Sequence, residues 1–225
     1  LKKETDLVGR KTWNDGQYAG RPTTVQLHLY RQADGESTWE EVTGAMPVWY
    51  RNSDDTWSFV YERISRTNAS GAEYRYKVEE EVPKDYRVSY SKDSDGNQVL
   101  LENVGDGSLT LTKEVTGSGG EPFREFHFTI TVGTLPDGSK LPDGVYGEVS
   151  FRDGKAAITL KSGESVRADH LPGMVSYTVT EEEANLDRYR TTSEADQGVI
   201  QPFAVTEVKF TNSRTSDDKD RPVKP

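Results

Sequence analysis

Short runs of β-forming residues, separated by turn residues, constrain the fold of this chain more than any other feature. The runs are rich in Val, Thr, Tyr, Phe and Trp, and clusters of Gly, Pro, Asn and Asp lie between them. This pattern is typical of antiparallel strands joined by tight connections. No segment shows the long 3.6-residue period of an amphipathic helix, and residues 181–189 are predicted to form one helical turn at most. The sequence therefore predicts an all-β, sandwich-like chain. The predicted strands are 23–31, 56–62, 74–80, 86–91, 98–103, 109–115, 125–132, 156–161, 175–181 and 205–212.

Composition limits the size of the core and the kind of partner. The 225 residues are 32% hydrophobic and 29% charged, which fits two small cores better than one large core. The formal net charge of −10 argues against nucleic acid or an anionic membrane surface as a partner, since both require a basic footprint. No apolar run reaches the length of a membrane helix, so we expect no membrane association.

Metal and thiol chemistry are disfavoured by the residue types present. The chain has no cysteine, and His28, His127 and His170 each stand alone in their stretches. Cysteine ligands, disulfides and thiol catalysis are therefore unavailable, and a histidine metal cluster is not indicated. We expect no metal and no cofactor.

The chain divides into two strand-rich halves and a polar tail. GDGS at 105–108 is small and turn-forming, so it is the predicted linker. The predicted domains are therefore residues 1–104 and 105–213. Residues 214–225 have almost no apolar content and are predicted to be a disordered spacer.

A lysine on an apolar strand face is the first sign of chemistry. In LTLTKEV, residues 109–115, Lys113 is in phase with Leu109, Leu111 and Val115, and residues two apart on a strand share a face. Burial disfavours the ammonium form, so such a lysine must be neutralised, paired or consumed. An edge position, with the ammonium group in water, is the simpler explanation of a single case.

The pattern is repeated in both halves of the chain, which argues against an accident. Glutamate follows lysine by 69 positions in the first half and by 68 in the second, and asparagine follows glutamate by 23 and 31 positions. Each of these polar residues is predicted to lie on the same strand face as hydrophobic residues two positions away along the chain. The alternative is a buried, unreacted and hydrogen-bonded triad. The six residues are Lys11, Glu80 and Asn103, then Lys113, Glu181 and Asn212.

The chemistry open to such a triad is amide exchange. In a dry pocket a lysine becomes a neutral amine nucleophile, and a carboxylic acid can stay protonated and donate a proton. The acid can polarise the asparagine amide and pass a proton to departing ammonia. The product is a Lys-Asn isopeptide bond, formed because the fold holds the reactants together.

The motifs around these residues give both halves a resemblance to the Cna B-type domains of Gram-positive surface proteins and sortase-assembled pilins. The first half carries KTWND, GRPTTVQLHLYR, TWSF and YKVEEEVPKDY. The second half is similar to the pilin isopeptide-linkage repeat through LTLTKEVTG, EFHFTI, YGEVSFRDGKAAITLKSGES, LPGMVSYTVTEEE and VKFTN. The resemblance extends from about Gly9 to Asn212.

This resemblance implies two tandem Ig-like β-sandwich domains with an autocatalytic bond between first and last strands. Lys11 and Asn103, then Lys113 and Asn212, would be joined, with Glu80 and Glu181 as catalysts. The second set matches the family pattern closely, whereas LEN at the end of the first half departs from the usual apolar-Thr-Asn. Such a chain would be a structural stalk rather than a turnover enzyme, in a cell-wall-anchored surface protein. Its partners would be neighbouring pilin or surface-protein domains and, through a sortase signal that this chain lacks, peptidoglycan.

Two further features allow other interpretations. All four tryptophans lie in the first half, at 13, 39, 49 and 57, so an alternative function is an adhesin that binds a host matrix protein or glycan there. SKDSDGNQ, residues 91–98, has a hint of a calcium loop, but its spacing fits a hairpin turn better.

Overall fold

The computed structural model describes residues 3–219 and confirms the all-β prediction. The described residues form two compact units, which divide between Gly105 and Asp106. Gly105 ends one strand and Gly107 begins the next, and both are buried, so the predicted GDGS linker is reduced to Asp106. Among residues 3–219, no helix has the length and apolar character needed to cross a bilayer.

The first unit is built from eight strands in two layers. The hydrogen-bonded order is β3-β2-β6-β8-β1-β5-β4, with β7 also paired to β8. Strands β6 and β8 meet at a single register position, Lys77 with Gln98, so β3-β2-β6 and β7-β8-β1-β5-β4 form separate layers. The strands are β1 (Glu4–Asn14), β2 (Leu27–Ala33), β3 (Glu40–Glu41), β4 (Val48–Arg51), β5 (Trp57–Ser65), β6 (Tyr74–Glu80), β7 (Tyr86–Lys92) and β8 (Gln98–Gly105).

Alternation along these strands places the core between the two layers. Leu29 and Val78 come from one layer, and Phe59 and Leu101 come from the other, and all four are buried. Strand β1 lies between β5 and β8. Its residues Glu4–Lys11 pair antiparallel with β5, and Arg10–Asn14 pair parallel with β8. The first and last strands of the unit are therefore neighbours.

The second unit has two four-stranded sheets and a two-stranded ribbon, β11-β12. The sheets have the orders β14-β9-β18-β16 and β13-β10-β15-β17, and their inward side chains form one hydrophobic core. Here too the first and last strands, β9 and β18, are parallel neighbours. The strands are β9 (Gly107–Thr116), β10 (Phe126–Val132), β11 (Gly144–Tyr146), β12 (Val149–Phe151), β13 (Lys155–Leu160), β14 (Ser165–Leu171), β15 (Ser176–Glu181), β16 (Arg190–Glu194), β17 (Gln197–Val199) and β18 (Val205–Ser213).

Two sequence predictions differ from the structure. Residues 182–188 form turns rather than a helical turn, and Asn185, Asp187 and Arg188 have positive φ angles that a right-handed helix does not allow. Residues 214–219, placed in the disordered spacer by the prediction, contain the buried Arg214 and one helical turn, α1 (Ser216–Lys219). The guanidinium of Arg214 donates to the carbonyl oxygens of Gly119 and Asp187, which explains the burial of a polar residue. The rest of the predicted spacer, 220–225, lies outside the described residues.

Candidate functional site

The first site joins three strands of the first unit. Lys11 on β1 and Asn103 on β8 lie two register positions apart on adjacent parallel strands, so their side chains share the inner face. Glu80 reaches them from β6 in the opposite layer. Lys11 Nζ donates to Glu80 Oε1 at 2.7 Å, and Asn103 Nδ2 donates to the same oxygen at 3.0 Å.

The second site repeats this arrangement in the second unit. Lys113 on β9 and Asn212 on β18 are again two register positions apart on parallel neighbours. Glu181 reaches them from β15 in the facing sheet. Its two carboxylate oxygens are divided between the partners: Lys113 Nζ donates to Oε2 at 3.0 Å, and Asn212 Nδ2 donates to Oε1 at 2.6 Å.

Both triads are closed to solvent. The side chains of both lysines and both glutamates have 0% exposure, and both asparagines are fully buried. A buried ion pair recovers its desolvation cost only when its remaining polar atoms are also satisfied. Here Oδ1 of Asn103 and of Asn212 has no hydrogen-bond partner among the described residues. Each site therefore holds an amide oxygen that is poised for a donor.

Comparison with known proteins bears directly on the first unit. Residues 7–103 match the family described as "Cna protein B-type domain". The first half is a Cna B-type domain. Residues 107–214 match a family described as "Domain of unknown function (DUF7601)", so similarity of the second half to pilin linkage domains stays a prediction.

Relatives of the chain are pilus proteins of Streptococcus pyogenes. A pilin of serotype M1 is 28% identical over 152 residues, which covers 61% of this chain and 44% of the relative. The pilus tip adhesin Cpa is 42% identical over 77 residues, 32% of this chain and 11% of the relative. This chain thus spans less than half the length of either. The crystal structure of the major pilin of the same species aligns with 96% of this chain and 100% of its own at 19% identity, with a TM-score of 0.44.

The lysines of both triads have lowered pKa values. Burial lowers the pKa of Lys11 from 10.5 to about 8, although the attraction of Glu80 opposes this; the positive charge of Arg21 lowers it further. In the second unit burial also lowers the pKa of Lys113, against the hydrogen bond and charge of Glu181. Both lysines are thereby brought closer to the neutral amine that a nucleophile requires.

Aromatic rings form the walls of both sites. Lys11 Nζ lies 4.3 Å from the centroid of a Trp13 ring, and Lys113 Nζ lies 4.2 Å from that of Phe126. The Tyr90 hydroxyl accepts a hydrogen bond from the Glu80 backbone N–H at 2.8 Å, which fixes the end of β6. The roles of Phe126 and Tyr90 were not predicted from the sequence. The sequence shows that both residues lie on predicted strands, but it does not show which neighbouring strand each ring contacts.

The loop with a hint of calcium binding is a hairpin turn in the Cna B-type domain. The Asp93 carboxylate accepts hydrogen bonds from the backbone N–H groups of Asp95 and Asn97. The Asp93 N–H donates to the Asn97 carbonyl, which closes the turn between β7 and β8. The acidic side chain is therefore used in turn formation.

Proposed function

We propose that the chain is a structural module of a pilus or of an adhesin on a Gram-positive cell surface, with each half stapled by a Lys-Asn isopeptide bond. The observation that carries the proposal is the pair of buried triads, in which one glutamate contacts both a lysine and an asparagine from the first and last strands. The Cna B-type match and the pilus relatives support the surface role.

The first step is a proton transfer within the buried pair. Moving one proton along the 2.7 Å hydrogen bond from Lys11 Nζ to Glu80 Oε1 turns an ion pair into an amine and a carboxylic acid. Removal from water favours this neutral form, because the charged groups lose their hydration. Both forms that the reaction needs are then present without any external base.

The second step is attack on the asparagine amide. The amide oxygen and nitrogen differ only by a half-turn about the Cβ–Cγ bond. After that half-turn the unpartnered Oδ1 faces the protonated glutamate and accepts its hydrogen bond, which polarises Cγ. The lysine Nζ then attacks Cγ, and the N–C bond of the cross-link forms.

The last step releases ammonia. The attacking nitrogen passes one proton to the glutamate side chain, which gives one to Nδ2 as the Cγ–Nδ2 bond breaks, so this side chain is a carboxylic acid before and after the exchange. One ammonia leaves for each bond, and no oxidant or cofactor is consumed. Because lysine and asparagine are both used up, each site acts once, and the chain is not a turnover enzyme.

The position of each bond suits a mechanical role. Tension that enters through β1 and leaves through β8 shears two parallel neighbours. A covalent bridge from Lys11 to Asn103 carries that load directly, so the strands between them are not unzipped. The same holds for β9 and β18 with a bridge from Lys113 to Asn212. Sortase-mediated attachment to peptidoglycan and contacts with neighbouring subunits belong to this proposal.

The test is removal of each glutamate beside a matched neighbour. Glu80→Ala should leave Lys11 and Asn103 unjoined, so the mass deficit relative to the mass calculated from its own sequence should be smaller by one ammonia than the deficit of wild type. Glu79→Ala is the control, since Glu79 lies one residue away and is exposed. A Glu80→Ala chain with the same mass deficit as wild type would refute the catalytic role of Glu80.

A binding role for the tryptophans has support at one position. Trp13 and Trp49 pack edge-on against Trp57, which is buried, so these three contribute to packing. Trp39 is 38% exposed, and the centroid of its ring lies 4.8 Å from Lys77 Nζ. If the chain binds a host protein or glycan, Trp39→Ala should weaken capture in a screen of matrix proteins and glycans, and Trp49→Ala should affect stability instead.

A further inference from the structure

Each lysine of the two triads shares its aromatic ring with an arginine. Arg21 Cζ lies 5.2 Å from the centroid of a Trp13 ring, beside which Lys11 lies. In the second unit, Arg124 Cζ lies 5.3 Å from the centroid of Phe126, the ring beside Lys113. The arginines follow their lysines by 10 and 11 positions, in the segments after β1 and β9. The arrangement is therefore a second internal repeat, independent of the triad itself.

Acidic side chains fix both arginines at the edge of their sites. Arg21 donates two hydrogen bonds to Asp15, at 2.7 and 2.8 Å, and two to Asp55, at 2.7 and 3.0 Å. Asp15 is buried and also accepts from the Tyr86 hydroxyl at 2.8 Å. A guanidinium that makes two bidentate pairs of hydrogen bonds has little freedom to move away from the Trp13 ring.

The second arginine is held in a similar way by different residues. Arg124 donates to Asp187 at 2.6 Å and to Glu121 at 3.2 Å. Glu121 also accepts from the Tyr189 hydroxyl at 3.0 Å and pairs with Arg214 at 3.1 Å. The side chains of Arg21 and Arg124 are 14% and 26% exposed, so each lies beside its aromatic ring with only part of its surface in solvent.

We propose that Arg21 and Arg124 are positioning residues for the isopeptide reaction, which close the aromatic wall of each site and oppose a positive charge on the lysine. This inference rests on the proposed function. Two like charges about 10 Å apart, at an effective dielectric constant of about 20, change a pKa by roughly one unit. The arginines act in this direction on both lysines.

Other charged groups lie around each lysine and its arginine and set the background for this effect. Around Lys11 they are Glu80, Arg21, Asp15 and Asp55, with the hydroxyls of Tyr86 and Tyr90. Around Lys113 they are Glu181, Glu183, Arg124, Glu121, Asp187 and Arg214, with the Tyr189 hydroxyl. Both sets contain the triad glutamate, the arginine, and an acidic partner of that arginine that also accepts from a tyrosine hydroxyl.

The experiment follows bond formation in the full chain during refolding. Chain recovered unfolded from inclusion bodies, with its full mass verified, is refolded at a series of pH values. Loss of ammonia and the two cross-linked peptides are followed by mass spectrometry over time. The variants are Arg21→Gln and Arg124→Gln, with Arg21→Lys and Arg124→Lys as charge-preserving controls. The bond in the unaltered unit is an internal control in each chain.

The expected result is selective for each unit. Arg21→Gln should slow the Lys11–Asn103 bond about three- to tenfold at pH 7 and move the midpoint of its pH profile up by about half a unit to one unit. The Lys113–Asn212 bond in the same chain should keep its wild-type rate and midpoint. Arg124→Gln should give the reverse pattern, and the lysine variants should restore the midpoint.

Two failures are distinguishable in this design. If wild-type bonds form and neither glutamine variant moves a midpoint, the arginine assignment is overturned and the proposed function stands. If refolded wild type keeps its full mass, the proposed function is overturned and this inference falls with it. If Arg21→Gln fails to fold, Arg124→Gln tests the same assignment in the second unit, where an unmoved midpoint of the Lys113–Asn212 bond overturns it.

Discussion

Six polar residues in two hydrophobic cores are the central feature at the scale of single residues. Strand phase alone predicts that lysine, glutamate and asparagine point inward in each half, and all six are buried in the structure. A core tolerates such groups only when they are paired or have reacted. The unpartnered amide oxygens of Asn103 and Asn212 show that hydrogen bonding within each triad is incomplete. This imbalance favours reaction over a static triad.

The pH dependence of a chain without the first cross-link tests the state of Lys11. In Asn103→Ala the amine stays free. Its pKa is about 8 when folded and 10.5 when unfolded, so the unfolded state binds more protons between these values. The free energy of unfolding should therefore rise with pH across this window, by up to about 3 kcal/mol. Tryptophan fluorescence during urea unfolding reports it, because all four tryptophans lie in this unit.

A matched variant separates Lys11 from other groups that titrate in the same range. Lys11→Met/Asn103→Ala lacks the amine and should show a smaller rise in unfolding free energy with pH. If the two chains respond to pH equally, Lys11 has an ordinary pKa in the folded state. Its burial would then have no consequence for nucleophilicity.

The sequence predicted the site residues that lie on regular strands, but it did not predict those that lie on loops. Lys113 and Glu181 were predictable because a strand fixes the face of each side chain. Arg21 and Arg124 were not, because each follows an irregular segment whose path is set by its acidic partners. The closure of the aromatic wall is therefore a tertiary property.

At the scale of strands, alternation predicted most of the core strands and missed the exposed ones, together with β12 and β14, which contain buried residues. Strand β6 alternates buried and exposed residues, as does β15, and both were predicted. Strands β16 and β17 are mostly exposed, and β4 has only Trp49 partly buried, so they carry no hydrophobic period to detect. Their pairing with a neighbouring strand, rather than burial, defines them.

Strand β1 is absent from the strands predicted by alternation, because Gly9 interrupts its apolar pattern. A Cβ atom at Gly9 would lie 1.9 Å from Cζ of Phe59, whose ring lies over this backbone. Gly9→Ala should therefore destabilise the first unit by about 1–3 kcal/mol through overpacking. Urea unfolding in a Glu80→Ala background measures this, with Val8→Ala as the control at a neighbouring exposed position. Equal effects of the two substitutions would show that the ring moves away without cost.

At the scale of the whole molecule, each unit is closed by its own first and last strands. A bond from Lys113 to Asn212 would close a loop of about 100 residues, worth roughly 4–5 kcal/mol in a chain-entropy treatment borrowed from disulfides. Such a bond resists reduction, which suits a chain that has no cysteine. The two bonds would act independently, because each triad lies within one compact unit.

Loss of the second bond should be visible as a change in thermal stability. Glu181→Ala should lower the unfolding temperature of the second unit by roughly 20 °C, since it removes the loop closure and leaves Lys113 unpaired. Calorimetry of the full chain should show this transition shifted and that of the first unit unchanged. Glu182→Ala, at an exposed neighbour, should leave both transitions in place. An unshifted second transition in Glu181→Ala would contradict the role of Glu181.

The most direct test of the account is the intact mass of the folded wild-type chain. Two isopeptide bonds predict a deficit of two ammonia molecules, with cross-linked peptides that join Lys11 to Asn103 and Lys113 to Asn212. A mass equal to that of the unmodified sequence would contradict the account and leave two static, hydrogen-bonded triads.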